Sequence, residues 1–526
     1  MDNHSTQIGD PALLAAAASE FASFPGHLTD AAVKEFLDRF PLPLIFIALK
    51  NGFDVPGLEG SLVSCLERIL KTSYGVSLLP QCVPYAQAGL KANFPLTRQL
   101  SCKAIAQLLE NSDKDEGVGV RAIVDYGVWP SIVVCLADSD ESVATAAAEA
   151  VKNLAKSTRG LELIFPAKAE EDTLLKEFTM NSSSMVRIRI LAIIAALFGI
   201  SDEAATAVHQ SGLLGMFEQE LNGTTDMLAT LNVLEVLYEI VATPIAAKFL
   251  LTKSLLQRLA ATISNSAVDS ILRSRSMTIS ARLLSSDSIY SGVDEFDVKN
   301  AVQAIDMDLE RLKATDSNER EIALDALSQI GTVMRGAELL LCNTPPTARH
   351  AVDATFSHGW RNIQLASTHA LASISGQERS QSTQLLNDQA ETCLRNLIYT
   401  AAENSSKRSP SGLLWSLLQQ DPEIRLAAYR LIAGLVTRPW CLWEVCAKQE
   451  IINLVTNPHS ETTKIGMEFR HSCCVAIRNA LLASSYKNDP AFSDVSEKLQ
   501  AAVRRGPYLA KEFVAPKPLV ATEERY

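Results

Sequence analysis

The sequence predicts an all-α fold built from stacked helical repeats. Three observations carry this reading. Apolar residues recur at helical rather than strand spacing throughout. A polar turn followed by an apolar anchor returns about every forty residues. Small and aliphatic residues dominate, while aromatics are only 6 %, a balance that lets neighbouring helices approach closely.

The copies run in chain order. The turn Asp138–Glu141 leads to Val143, then Ala147, Val151 and Leu154. Asn181–Met185 leads to Val186, then Ile190, Ile193 and Leu197. Asp226-Met227 leads to Leu228, then Leu231, Leu234 and Leu237. Asp316–Glu321 leads to Ile322, then Ala326, Leu327 and Ile330. Arg361-Asn362 leads to Ile363, then Ser367, Ala370, Leu371 and Ile374. Asp421–Glu423 leads to Ile424, then Ala428, Leu431 and Leu435. Weaker copies begin near Leu96, Leu272 and Ile465.

Val143, Val186 and Leu228 are separated by 43 and 42 residues, and Ile322 and Ile363 by 41. Periods of ~40–47 mark HEAT and armadillo units of two or three helices, whereas ankyrin and tetratricopeptide units repeat nearer ~33–34. The expected architecture is an armadillo/HEAT-like right-handed α-solenoid, because each unit must cover its neighbour's apolar face. Residues 31–505 form one solenoid of about ten repeats in this reading. A polar, partly flexible segment 1–30 precedes it and a tail 506–526 follows. Ile363 and Ile424 lie 61 residues apart, which places an insertion at 376–412, with loops flanking a helix around Leu394–Tyr399.

Composition narrows the function. The 526 residues are 47 % hydrophobic and 21 % charged, which excludes wholesale disorder. Net charge is −12, and no run of Lys or Arg exceeds two. Nucleic-acid binders concentrate positive charge to displace phosphate counterions, so DNA and RNA are not expected partners. The first residues lack a signal-peptide pattern. The most apolar stretches, Pro41–Leu49 and Ile190–Ile200, fall short of the ~20 residues that span a bilayer. Ten cysteines scattered over this length suit reduced thiols in the cytosol or nucleus.

Catalytic patterns are missing. The chain has no phosphate-loop signature, no convincing dinucleotide fingerprint, no G-x-S-x-G elbow and no H-E-x-x-H helix. Asn111–Gly119 reads as a charged turn. Cys441, Cys446, Cys473 and Cys474, near His459 and His471, are the densest soft-ligand cluster, but their spacing is not that of a zinc site; they read as buried thiols. Asp138, Asp226, Asp316 and Asp421 read as helix N-caps. No enzyme activity, metal or cofactor is expected.

Arg187 and Arg189, Arg273 and Arg275, and Arg425 and Arg430 fall early in the second helices. They form either a solvated or salt-bridged face, or the lining of a partner surface. In the second case Arg189, Asn232, Glu235 and Arg275 form a partner-facing ridge.

Several segments, in order, carry a resemblance: Leu109–Asp113, Gly160–Phe165, Val186–Arg189, Ser211–Leu214, Arg438-Pro439-Trp440, Gly506-Pro507-Tyr508 and Lys517-Pro518. From about residue 30 onward the chain resembles the 26S proteasome non-ATPase regulatory subunit 5 family. No single motif is chemically diagnostic; their joint order carries the likeness. The N-terminus and the 376–412 region look longer here. The resemblance implies a chaperone of 19S base assembly, monomeric when free. It would bind the C-terminal domain of a proteasomal ATPase subunit of the regulatory subunit 7 type, with associated base subunits, and leave before the proteasome matures. It implies no catalytic residues, no membrane and no nucleic acid. The competing reading is an armadillo-type interaction adaptor unrelated to the proteasome. The import-adaptor form of that reading is weakened because none of Trp129, Trp360, Trp415, Trp440 and Trp443 has Asn four residues later. A fused catalytic module has no room, because repeat-like helices run to about Ser485.

Overall fold

The computed structural model describes residues 11–508 apart from 52–54, 112–117, 167–173, 224–225, 253, 315–316, 358 and 381–384. Among the described residues, thirty α-helices and three short 3-10 helices follow one another without a strand. The chain divides into two compact units, Met1–Lys253 and Ser254–Tyr526.

Each unit is organised around a ladder of long helices. In the first unit the rungs are Leu58–Ile69, Pro95–Asn111, Glu141–Leu154, Ser184–Phe198 and Met227–Ile240, and consecutive rungs pack on one another. In the second they are Ser270–Leu284, Asn318–Gly331, Arg361–Ile374, Pro422–Leu435 and Lys464–Ala483, again in direct succession. Shorter helices lie between rungs in sequence, such as Met334–Cys342 and Arg349–Phe356 ahead of Arg361–Ile374. Pairs of short helices followed by one long helix give the three-helix pattern of an armadillo-like unit.

Apolar spacing explains the rungs. Val143, Ala147, Val151 and Leu154 are all fully buried on one face of Glu141–Leu154, as i, i+4, i+8 and i+11 positions must be. Ile424, Ala428, Leu431 and Leu435 repeat the arrangement in Pro422–Leu435. Small residues set the rung separation. A Cβ on Gly331 would come within 2.7 Å of the Ile374 side chain and 3.0 Å of its backbone nitrogen. The Ser328 and Ser373 hydroxyls meet at 3.0 Å across the same contact.

Capping fixes where the helices begin. Asp226 accepts from the Leu228 N–H, and Asp421 accepts from those of Glu423 and Ile424, as expected. Asp138 does not cap: Asp140 takes that place, accepting from Ser142 and Val143, while Asp138 pairs with Arg98. Asp316 lies outside the described residues, and Ser317 caps that helix. Three expected anchors also differ. Leu96, Leu228 and Ile465 are 45 %, 63 % and 58 % exposed, because each sits only two positions past the residue that precedes its helix. The buried face starts one residue later, at Thr97, Ala229 and Gly466.

A second start signal recurs at four helices, one of them a rung. Thr72, Ser157, Ser409 and Thr463 each accept, through the side-chain oxygen, a 3.1 Å hydrogen bond from a glycine N–H three residues on. The glycines are needed where one helix turns directly into the next. A Cβ on Gly160 would lie 1.8 Å from the Leu154 carbonyl oxygen, and one on Gly75 1.9 Å from that of Ile69.

Within 376–412 the expected helix is present and longer, spanning Asp388–Glu403. Within 1–30, Pro11–Ser23 is helical and buries Leu14 and Ala18. No described helix is both long and apolar enough to cross a membrane; one short pair, Val118–Asp125 and Trp129–Cys135, passes jointly but bends by 86°.

Candidate partner-binding ridge

The rungs place particular positions in register. Counting from the cap, the fourth residue is Arg98, Arg187, Arg273 and Arg425 in four of them. Each of these arginines does the same two things. Its guanidinium donates to a carbonyl in the turn just before its own helix: Ala92 and Asn93 for Arg98, Ser182 for Arg187, Val268 for Arg273 and Gln420 for Arg425. It also reaches a carboxylate 33 to 46 residues further along the chain. Those partners are Asp138, Glu220, Glu319 and Glu461. The Arg273–Glu319 pair has donor–acceptor distances of 2.6 and 3.0 Å and both side chains are buried.

These are ties between successive repeats, so Arg187, Arg273 and Arg425 belong to the salt-bridged reading of the arginine face. The Arg98 guanidinium hydrogen-bonded to Asp138 holds that carboxyl below its ordinary range, with a smaller contribution from Arg189. Arg430 turns elsewhere, onto Gln377, Glu378 and His369. Burial and the Arg430 charge together lower the pKa of His369.

The proposed ridge residues stand two positions further along. Arg189, Asn232 and Arg275 each occupy the sixth position past the cap and follow one another at intervals of 43 residues. Arg189, half-buried, donates to the Leu136 carbonyl at 2.8 Å and that of Asp138 at 3.3 Å. It ties its helix to the preceding repeat. Asn232 is exposed, and Glu235, one turn on, is half-buried. Both lie in the first unit with Arg189. Arg275 lies in the second unit, half-buried, and desolvation lowers its pKa.

The same helix starts expose apolar side chains. Met185, Leu228, Ile271 and Ile465 are all second past the cap and 56–72 % exposed. In the first unit, Met185 and Leu228 stand on adjoining rungs. An apolar residue beside Asn232 and Glu235 makes a surface suited to protein contact, where aromatic, methionine and arginine side chains are enriched. Position in the register, rather than hydrophobicity alone, is the signal that would have found these residues in the sequence.

The cysteine cluster is a packing feature. Cys441, Cys446, Cys473 and Cys474 are buried, and burial pushes the Cys446 thiol up to about 12 and that of Cys474 to about 11. Such thiols stay protonated and inert. Among the described residues, no three His, Cys, Asp or Glu side chains converge as a metal-ligand set.

The comparisons with known proteins follow this geometry. The family described as "Proteasome non-ATPase 26S subunit" matches residues 61–526. Among curated proteins none matches. Among solved structures, the crystal structure of an engineered protein is 18 % identical and covers 88 % of this chain and 99 % of its own, with a TM-score of 0.41. A second engineered protein is 17 % identical, covering 56 % of this chain and 96 % of its own at a TM-score of 0.28.

Proposed function

The chain belongs to the proteasome non-ATPase 26S subunit family, and from that premise we propose that it is a non-catalytic chaperone of 19S base assembly. In this reading it holds the C-terminal domain of a proteasomal ATPase subunit, of the regulatory subunit 7 type, and is released before the proteasome matures. It acts in the cytosol or nucleus and is monomeric when free.

The family match over residues 61–526 is the observation that carries the proposal. The ladder makes it physically workable. Rungs tied by Arg–carboxylate pairs form a stiff support, and a stiff surface loses little entropy when it binds. Exposed Leu228 and Asn232 then offer an apolar and polar contact on one rung. Release needs only competition for overlapping surface.

The test is co-purification of the tagged full chain from lysate, with mass spectrometry of its companions. Base ATPase subunits recovered without core-particle subunits support the proposal; dominance by cargo unrelated to the proteasome overturns it. Asn232→Arg is the ridge variant to use, because Arg189 also holds two backbone carbonyls and its reversal would disturb packing. We expect Asn232→Arg to weaken ATPase-subunit binding at least tenfold with helicity unchanged.

A further inference from the structure

The rung Pro95–Asn111 and the short helix Trp129–Cys135 belong to successive repeats. Two neighbouring links connect the rung to the end of the short helix. The first is ionic: Arg98 forks onto Asp138, Nε to Oδ2 at 2.6 Å and Nη2 to Oδ1 at 3.0 Å. One turn along the rung from Arg98 stands Cys102, and three residues before Asp138 stands Cys135. Their side chains are hydrogen-bonded to each other, which is the second link.

The end of a third helix closes the site. Cys135 Sγ donates to the Leu90 carbonyl at 3.7 Å. Gly89, next to Leu90, lies so close to the rung that a Cβ there would fall 2.2 Å from the Ser101 hydroxyl oxygen. Leu90 beside Gly89 and Cys102 beside Ser101 therefore converge on Cys135 from two helices. Cys102 is 0 % and Cys135 2 % exposed.

The ten cysteines differ in character. In eight of them burial raises the thiol pKa. The other two act as a pair. The Cys102 hydrogen bond lowers the pKa of Cys135, against burial and the Asp138 charge, while that of Cys102 itself rises. Cys135 ionises first and Cys102 keeps its proton, which gives one nucleophilic thiolate and one thiol poised to resolve it.

We propose that Cys102 and Cys135 form a redox-sensitive staple, closed to a disulfide by hydrogen peroxide, that makes the tie between these two repeats covalent. The Cys135 thiolate attacks one peroxide oxygen; the O–O bond breaks, hydroxide leaves, and the sulfur becomes a sulfenic acid. The Cys102 sulfur then attacks that sulfur, the S–S bond forms and the S–O bond breaks. The two departing hydroxides take up the two thiol protons. Two thiols and one peroxide thus give one disulfide and two waters, the sulfurs being oxidised and the peroxide reduced. Entry is through the short helix: Val134, next to Cys135, is 62 % exposed, and local opening of these 7 residues is enough to admit a molecule little larger than water. The staple goes beyond the base-assembly reading and uses none of its contact residues.

Brief treatment of the reduced full chain with a small excess of hydrogen peroxide, then iodoacetamide alkylation and peptide mapping by mass spectrometry, tests it. A Cys102–Cys135 linked peptide should appear at least tenfold faster than oxidation at any other cysteine, and dithiothreitol should remove it. The link should slow hydrogen exchange at least tenfold in Val118–Asp125, which the closed loop encloses. In Cys102→Ser, dimedone should trap Cys135 as a sulfenic acid; in Cys135→Ser, Cys102 should stay unmodified. Overturning results are a different pairing, a linked peptide that forms only in urea, Cys135 reacting no faster than buried Cys441, or unchanged exchange in the linked chain. All four are read on the wild-type chain, so they decide the matter even where a serine variant fails to fold.

Discussion

At the scale of single residues, the ladder depends on charges removed from water. Arg273 lies between Glu319 and the Val268 carbonyl with almost no exposure. Removing one partner of a buried pair leaves the other charge uncompensated, at about 3–5 kcal/mol. Arg273→Ala should therefore strip hydrogen-exchange protection from Asn318–Gly331 by an amount in that range, while Arg273→Met with Glu319→Leu recovers most of it. Equal losses in the single and double variants would show that the pair is not what holds the rungs. Asp306 gives a second test, through pH. Burial pushes its carboxyl up, but His350, 3.2 Å away, and the bidentate Arg349 outweigh that and hold it at about 2. An unfolded aspartate titrates near ~3.9. The folded pKa is depressed, so the contribution of about 2 kcal/mol is whole above about pH 4 and disappears as pH falls toward 2. The stability difference between wild type and Asp306→Asn in urea titrations should shrink over that window; a constant difference from pH 5 to pH 2.5 would remove Asp306 from the account.

At the scale of elements, glycines after Ser and Thr caps govern how one helix turns into the next. Gly160→Ala would gain up to ~1 kcal/mol of helix propensity, yet its Cβ meets a backbone oxygen that cannot swing aside. The overpacking should win, for a net loss of about 1–3 kcal/mol, read as lower protection in Thr158–Ile164 and Glu141–Leu154. A stabilised variant would show that the turn has room to relax. This start signal is present in the sequence as [S/T]-x-x-G, but a glycine there is easily passed over as a generic turn residue. The Asp caps were legible because the oxygen and its N–H partners lie two or three residues apart, as at Asp226 and Asp421. Asp138 misled because Asp140 stands two residues on and both fit the pattern. The arginine ties were only half legible: a partner 46 residues away, as for Arg273, cannot be read from local spacing. Arg438 shows the same limit. In sequence it precedes a Pro-Trp helix stop, but in the fold it is 2 % exposed, forks onto Glu391 and binds the Ser375 and Gly434 carbonyls.

At the scale of the whole molecule, the all-α class and the forty-residue period were readable because a repeat writes its packing into every copy. The side-chain ties were less readable, since Arg98, Arg187, Arg273 and Arg425 look like ordinary solvated residues until the fold brings their carboxylates to them. The repeat pattern also dictates how damage spreads. When each unit touches mainly its neighbours, stability is a sum of unit terms and nearest-neighbour terms. A lesion at Gly160 should then lower protection in its own repeat and the adjoining rungs Pro95–Asn111 and Ser184–Phe198. Pro422–Leu435, in the other compact unit, should keep wild-type protection within about 0.5 kcal/mol, the limit of additivity for distant sites. Hydrogen exchange followed by mass spectrometry across Gly160→Ala decides this in one experiment. A uniform fall at every rung would mean the chain opens as a single cooperative block; a graded fall means that one end can loosen while the other keeps its grip, which is the behaviour a binding scaffold needs if its partner is to be released in steps.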